Sequence, residues 1–278
     1  MDAEIDLEVR LLLEAIYDRY HYDFRSYAKA SLKRRLRQAC DSLGVASLSG
    51  LQERVLHEPE CFAALLQYLT VQVSDMFRDP EFFRAIRTQV PPVLATYPSI
   101  KVWVAGCSTG EEAYSLAILL QEEGLLDRSI IYATDINAQA LRAAGNGVYS
   151  LQRLRGFTEN HRRSGATTSF SDYYHASPGA SGESAIMDPA LRRKITFSDH
   201  SLATDNVFSE VHLVTCRNVL IYFDQELQNR ALRLFGDALI SRGFLGLGSK
   251  ESLRFSEAAE RFTEFALHER IYRRKGLT

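Results

Sequence analysis

The stretch KVWVAGCSTGEEAYSLA, beginning at Lys101, admits few backbones. Apolar residues lead into Gly106, a short turn runs to Gly110, and a mostly apolar helical pattern follows at once. That order is strand, tight turn, helix, with glycines where the backbone must turn sharply or approach a ligand. From Ile100 onward short apolar runs keep alternating with helical periodicity, the signature of a parallel sheet with crossover helices. Strands are predicted over 101–105, 130–134, 195–198, 212–215 and 244–248, and helices over 111–123, 138–144 and 225–240. The fold class is α/β, a doubly wound Rossmann-like domain.

The first ninety residues carry almost no strand signal. Ile5, Val9, Leu12, Leu13 and Ile16 recur at helical spacing, and Leu32, Leu36, Ala39 and Leu43 share one side of a second helix that Gly44 can stop. On that helix Lys33, Arg34 and Arg37 fall within an arc of roughly 100°, with Arg35 flanking it. Further helices are predicted over 48–56 and 59–69, and Pro80 opens another that carries Phe82, Phe83 and Ile86. Pro91, Pro92 and Pro98 mark the change of character. The organisation predicted is a small all-helical domain over 1–90, a linker over 91–99 and the α/β domain over 100–278. A Gly/Ser/Pro-rich run between Ser164 and Ser184 predicts a small β insertion or a loop within 164–194.

Composition narrows the classes. A net charge of -2 excludes a polycationic body that wraps nucleic acid. Cys40, Cys61, Cys107 and Cys216 are scattered without a CxxC pair and read as reduced, packed thiols; no metal site is expected. No apolar run approaches the roughly 18 residues of a membrane span, and the acidic opening after Met1 does not resemble a secretory leader. A cytoplasmic protein without membrane insertion is expected.

The Gly106–Gly110 turn differs from a dinucleotide fingerprint. Glu111 and Glu112 follow it directly and would repel a diphosphate at the helix start, whereas they suit a ligand carrying an ammonium and a sulfonium, as S-adenosylmethionine does. Asp135 ends the next strand, 25 residues beyond Gly110, where a carboxylate can accept both ribose hydroxyl hydrogens. The other reading of the same residues is a tight turn whose glutamates merely favour the helix dipole.

GCSTGEEAYS from Gly106, ATDIN from Ala133 and CRNVLIYF from Cys216 resemble the chemotaxis receptor methyltransferases of the CheR family. SLKRRL from Ser31 and VSDMFRD from Val73 are similar to that family's basic helix and its T-x-F-F-R segment. The resemblance runs from about residue 20 to residue 270. It implies a methyl transfer from S-adenosylmethionine, leaving S-adenosylhomocysteine, to glutamate side chains on the cytoplasmic helices of chemoreceptors. A glutamate with a pKa near ~4.3 is already ionised at neutral pH, so attack on a sulfonium methyl needs no general base.

The resemblance also implies residue roles. Arg78 would clamp the incoming carboxylate or the donor's own, and Tyr222 would point its hydroxyl at the reaction centre; together they form the expected catalytic pair. Gln72 and Ser74, in place of the family's usual Asn and Thr, would contact the cofactor beside Arg78. Glu111 would meet its methionine end and Asp135 its ribose, with Gly106 and Gly110 letting the backbone approach the cofactor closely. His200, standing where the family has Asn, with Ser201 beside it, would neighbour the adenine, and Arg217 and Asn218 would lie at the sheet edge against the cofactor. Lys33, Arg34 and Arg37 would steer acidic receptor helices.

Each role has a plainer alternative: an Arg78 pairing with Asp79 or Glu81, a Tyr222 packing beside Phe223, a solvated face on the basic helix. A nucleic-acid methyltransferase is disfavoured because Cys216-Arg-Asn-Val stands where an Asn/Asp-Pro-Pro-aromatic segment is usual and no aromatics interleave the basic arc. A catalytically silent regulator that binds the cofactor is the remaining rival. In some relatives a small β-subdomain grips a receptor's peptide tether; the Gly/Ser-rich character of 164–184 gives no ground to assume it here.

Overall fold

The computed structural model describes residues 2–179, 182–254 and 256–276. Ala180 and Ser181, within the predicted β insertion, and the predicted domain limits at 1 and 278 lie outside the described residues.

Four helices, α1 (Asp2–Tyr20), α2 (Lys29–Leu43), α3 (Leu48–His57) and α4 (Pro59–Leu69), form the front of the chain. They enclose their own core, in which Leu12, Ile16, Leu36, Leu51 and Leu65 are fully buried. Gly44 ends α2 in the left-handed conformation, and the Ser47 hydroxyl caps α3 by accepting from the Gly50 amide.

The next two helices, α5 (Pro80–Gln89) and α6 (Pro91–Leu94), pack differently from the expectation. Phe82, Phe83, Ile86, Val90 and Leu94 bury against the sheet rather than against α1–α4. The hydrophobic packing therefore divides near Thr70, not at residue 90, and the predicted 91–99 linker contains a packed helix.

The sheet strands are β1 (Ile100–Ala105) and β2 (Ser129–Asp135), separated by α7 (Glu111–Glu122). After α8 (Ala138–Asn146) come a short strand, β3 (Val148–Ser150), and α9 (Leu151–Arg163). The hairpin β4 (Tyr174–Gly179) and β5 (Gly182–Met187) pairs antiparallel with β3 as a separate three-stranded sheet. The β insertion is thus real, and it begins at residue 148, ahead of the Gly/Ser-rich run. Then follow α10 (Pro189–Arg192), β6 (Ile195–Asp199), β7 (Val211–Cys216), α11 (Gln225–Ala238), β8 (Leu239–Leu247), β9 (Phe262–Ala266) and β10 (Ile271–Arg274).

The main sheet has the order β6-β2-β1-β7-β8-β10-β9, with parallel pairings from β6 to β8 and only β10 reversed. Alternation along β1 shows why both faces are covered. Val102 and Val104 bury into the core shared with α5 and α7, while Trp103 and Ala105 bury into the core shared with α11. The predicted strands and helices are all present, with ends shifted by a few residues; helix α11 stops at Ala238, short of 240, because β8 begins there. The four cysteines are buried and unbonded to one another, and among the described residues no helix is long and apolar enough to cross a membrane.

Candidate active site

A cavity of about 480 Å³ opens at the carboxyl ends of β6, β2, β1 and β7, where the chain switches from one side of β1 to the other. The end of α1 and the segment after α4 form its opposite wall, so both cores contribute.

The turn after β1 shapes the floor. Gly106 has φ 74, and a Cβ there would lie 2.4 Å from Val219, so only glycine fits. Ser108 also adopts a left-handed φ of 50 and donates its amide to Asp135 Oδ2 at 2.8 Å. Asp135 Oδ1 accepts from the Asn137 amide at 2.9 Å, leaving each oxygen capacity for one more donor from the cavity. Burial pushes the Asp135 carboxyl above its ordinary range, although these amides oppose the shift. Gly110 does not line the cavity: its missing side chain makes room for Ala144 of α8, 2.9 Å from where a Cβ would sit. Gln72 also stays behind the wall, accepting from the Ser108 hydroxyl at 2.6 Å.

The two glutamates of the turn part company. Glu111 is fully buried, accepts from the Thr109 hydroxyl and pairs with Arg153 at 2.7 Å, so it does not reach the cavity. Glu112 lines the cavity instead. Successive helix residues point about 100° apart, so only one of two adjacent carboxylates can face a ligand. Glu112 pairs with Arg217 at 2.9 Å; Arg217 also pairs with Asp79 at 2.7 Å, donates to the Arg78 carbonyl and stacks over Phe82 at 4.2 Å. Arg217 is therefore a buried brace at the cavity wall rather than a free cation.

That brace fixes the segment carrying Ser74 and Arg78, both of which line the cavity. Phe77 and Asp79 on either side of Arg78 have φ of 51 and 56, a strained backbone held by outside partners. Ser115 of α7 accepts the Phe77 amide at 2.8 Å, and Asn160 donates to the Met76 carbonyl at 3.1 Å. Arg78 itself donates only to the Val73 carbonyl at 3.1 Å and pairs with neither Asp79 nor Glu81 among the described residues.

Asn218 and Tyr222 lie on the loop after β7. Glu251, almost fully buried, accepts the amides of Asn218 at 3.0 Å and Val219 at 2.9 Å and so shapes this loop. The backbone also bridges to the helical front: Ala28 donates to the Tyr222 carbonyl at 2.8 Å. Arg35 is buried, not part of the basic arc; it donates to the Leu69 carbonyl and the Ser31 hydroxyl, and its guanidinium sits 4.5 Å over the Tyr222 ring. His200 and Ser201 line the opposite end, with His200 edge-on to Trp103 at 5.2 Å and its buried Nδ1 lacking a hydrogen-bond partner among the described residues.

Of the predicted arc, Arg34 and Arg37 are exposed and make no ion pair among the described residues. Lys33 pairs with Asp6 of α1, which removes it from the free cationic face.

The cavity suits a cationic nucleoside. Asp135 and Asp199 both line it, neither enters an ion pair among the described residues, and burial raises both carboxyls. A bound cation relieves that penalty, and the unpartnered His200 nitrogen offers a hydrogen-bonding partner at the same end. Asp79, Arg35, Arg153 and Glu251 were not among the residues predicted from sequence to serve the site, and Glu112 was read only as one of an acidic pair. For Glu251 the sequence offers no signal; for Glu112 the adjacent pair was visible but not which member turns inward.

Comparisons with known proteins identify the family. The family model for the CheR methyltransferase SAM binding domain matches residues 72–270, and that for the CheR methyltransferase all-alpha domain matches residues 7–70. The putative methyltransferase Cher3 of Pseudomonas putida is 58% identical over 98% of each chain. A chemotaxis protein methyltransferase of Listeria innocua is 28% identical, over 83% of this chain and 84% of the relative. That of Escherichia coli is 27% identical, over 93% of this chain and 88% of the relative.

Proposed function

Because this chain belongs to the CheR methyltransferase family and uses S-adenosylmethionine as its cofactor, we propose that it methylates glutamate side chains on the cytoplasmic helices of a bacterial chemoreceptor. The relatives named as chemotaxis protein methyltransferases support that reading, under which the chain acts in the cytoplasm as a protein-glutamate O-methyltransferase.

The observation that carries the reading is charge placement: carboxylates line the cavity while Arg78, also lining it, has no carboxylate partner among the described residues. Glu112, rather than Glu111, is the carboxylate for the donor's ammonium. Asp135 accepts the ribose hydroxyls through its remaining lone pairs, and His200 with Ser201 borders the adenine. When bound, the cofactor supplies an electrophilic methyl on a sulfonium and is left as S-adenosylhomocysteine.

The chain's own residues then need only bring an ionised acceptor into line. Arg78 holds the glutamate carboxylate by a charge-assisted fork, and the strained, braced backbone around it keeps that fork in place. Tyr222 borders the transfer site with its hydroxyl, oriented by Arg35 against its ring. No proton has to move, since the acceptor is already ionised. Proximity and exclusion of water supply the acceleration.

Incubation with methyl-labelled donor, receptor and nucleic acid in parallel tests this. Label on the receptor that is released as methanol by mild base supports the ester. Alkali-stable label on nucleic acid, or tight cofactor binding without transfer to any receptor, overturns it.

A further inference from the structure

We propose that Arg153, on α9, is a positioning residue that sets the two walls of the cofactor site against each other. The inference rests on the cofactor reading above and adds a residue outside the cavity. One guanidinium reaches three acceptors on two separate pieces of chain: Glu111 at 2.7 Å, the Ser74 carbonyl, and Asp75 at 3.1 Å. Glu111 belongs to the turn whose next residue, Glu112, lines the cavity; Ser74 lines the facing wall, four residues before Arg78. Arg153 is thus a tie between the carboxylate wall and the arginine wall.

The chemistry makes the tie hard to replace. Glu111 is fully buried, and Arg153 is its only cationic partner among the described residues. Removing the cation leaves a buried charge that must find water or a proton, and either response moves the first turn of α7. The planar fork satisfies Glu111 and the Ser74 carbonyl at once, whereas an ammonium on a flexible stem does not hold both in that fixed geometry. The Phe157 ring, 4.8 Å from the guanidinium, fixes its approach.

The test measures S-adenosylhomocysteine binding by calorimetry and donor kinetics with receptor. Arg153→Gln is expected to weaken binding at least tenfold and to lower kcat/KM for the donor by a similar factor. Arg153→Lys is expected to recover part of both. Asp75→Asn, at an exposed position, is expected to weaken binding two- to fivefold, and Arg155→Gln on the solvent side of the same helix to change neither quantity. Wild-type binding and kinetics in Arg153→Gln, with only a lower melting temperature, reduce Arg153 to a structural residue and overturn the proposal. If Arg153→Gln does not fold, Asp75→Asn decides, and unchanged affinity there overturns it. A folded wild-type chain that takes up no S-adenosylhomocysteine overturns the cofactor reading itself, and this inference with it.

Discussion

Arg35 of α2 lays its guanidinium 4.5 Å over the ring of Tyr222, so a buried cation from the helical front meets a tyrosine at the edge of the sheet. Its only hydrogen-bond acceptors among the described residues are the Leu69 carbonyl and the Ser31 hydroxyl, and burial lowers its pKa. Arg35→Met is expected to destabilise the fold by about 1–3 kcal/mol, through a carbonyl left without its donor and a lost cation–π contact. Turnover should fall more steeply than S-adenosylhomocysteine affinity, because Tyr222 loses its support while Asp135 and Glu112 are untouched. Denaturant melts and calorimetry on the same preparation check this; parallel losses in affinity and turnover would show that Arg35 serves the whole cavity instead.

Asp135 has two jobs, and the substitution should separate them. It accepts two backbone amides that shape the turn and faces the cavity with its remaining lone pairs. Asp135→Ala strips both; Asp135→Asn keeps one acceptor oxygen but loses the charge. We expect Asp135→Asn to weaken cofactor binding by about 1.5–3 kcal/mol, roughly the worth of hydrogen bonds to a charged group. Unaltered affinity in a folded variant would remove the ribose assignment.

The same carboxylates give the affinity a pH dependence of defined sign. Burial raises the pKa of Asp135 and of Asp199, so in the empty cavity protons stay on to higher pH than in free aspartate. A cationic ligand favours the ionised forms, and its binding therefore releases protons. Affinity should be full at neutral pH and fall as the pH drops through these raised values; calorimetry in buffers of different ionisation heat at mildly acidic pH should show proton release. Proton uptake on binding would contradict a cationic occupant.

Much of this was legible beforehand, for reasons that particular residues make clear. β1 and β7 are buried on both faces, and Gly106 punctuates the end of β1, so their apolar runs stand out. β9 and β10 were missed because β9 is exposed at two of its five positions and shows no apolar run. Helix α9 was missed because its basic, sparsely apolar sequence LQRLRGFTENHRR buries only Leu154, Phe157 and His161. Asp135 and the glycine turn were readable because their backbone requirement is local. Choosing Glu112 over Glu111, or seeing that Arg35 turns inward beside two exposed arginines, depends on the partners Arg153, Arg217 and Leu69, which sequence spacing does not locate.

Glu122 anchors a buried cluster whose acid response can be stated. Burial pushes its carboxyl up, but hydrogen bonds from His161 at 2.9 Å and from Thr168, with Arg87 paired at 2.5 Å, hold its pKa at about 2. A depressed carboxyl contributes stability that is present above its unfolded pKa and lost as the pH falls through the folded value. That contribution is of order 3 kcal/mol at neutral pH and should vanish between about 4.5 and about 2. Glu122→Gln should flatten the acid limb of stability over that window; an unchanged limb would assign acid unfolding to other carboxylates.

Among the described residues Arg34 and Arg37 are the members of the basic arc on α2 without an ion pair, since Lys33 is paired with Asp6 and Arg35 is buried. If acidic receptor helices are steered by this face, the effect is long-ranged and screened by salt within a Debye length of roughly 10 Å at 0.1 M. The double variant Arg34→Gln/Arg37→Gln should therefore lower kcat/KM for receptor by about three- to thirtyfold at low ionic strength and leave cofactor affinity unchanged, because neither residue borders the cavity. Raising the salt should bring wild type and variant together, mainly by slowing the wild type. A salt-independent loss would instead mean that the two arginines make short-range contacts in the docked complex, and no loss at any salt would leave the face as ordinary solvated surface.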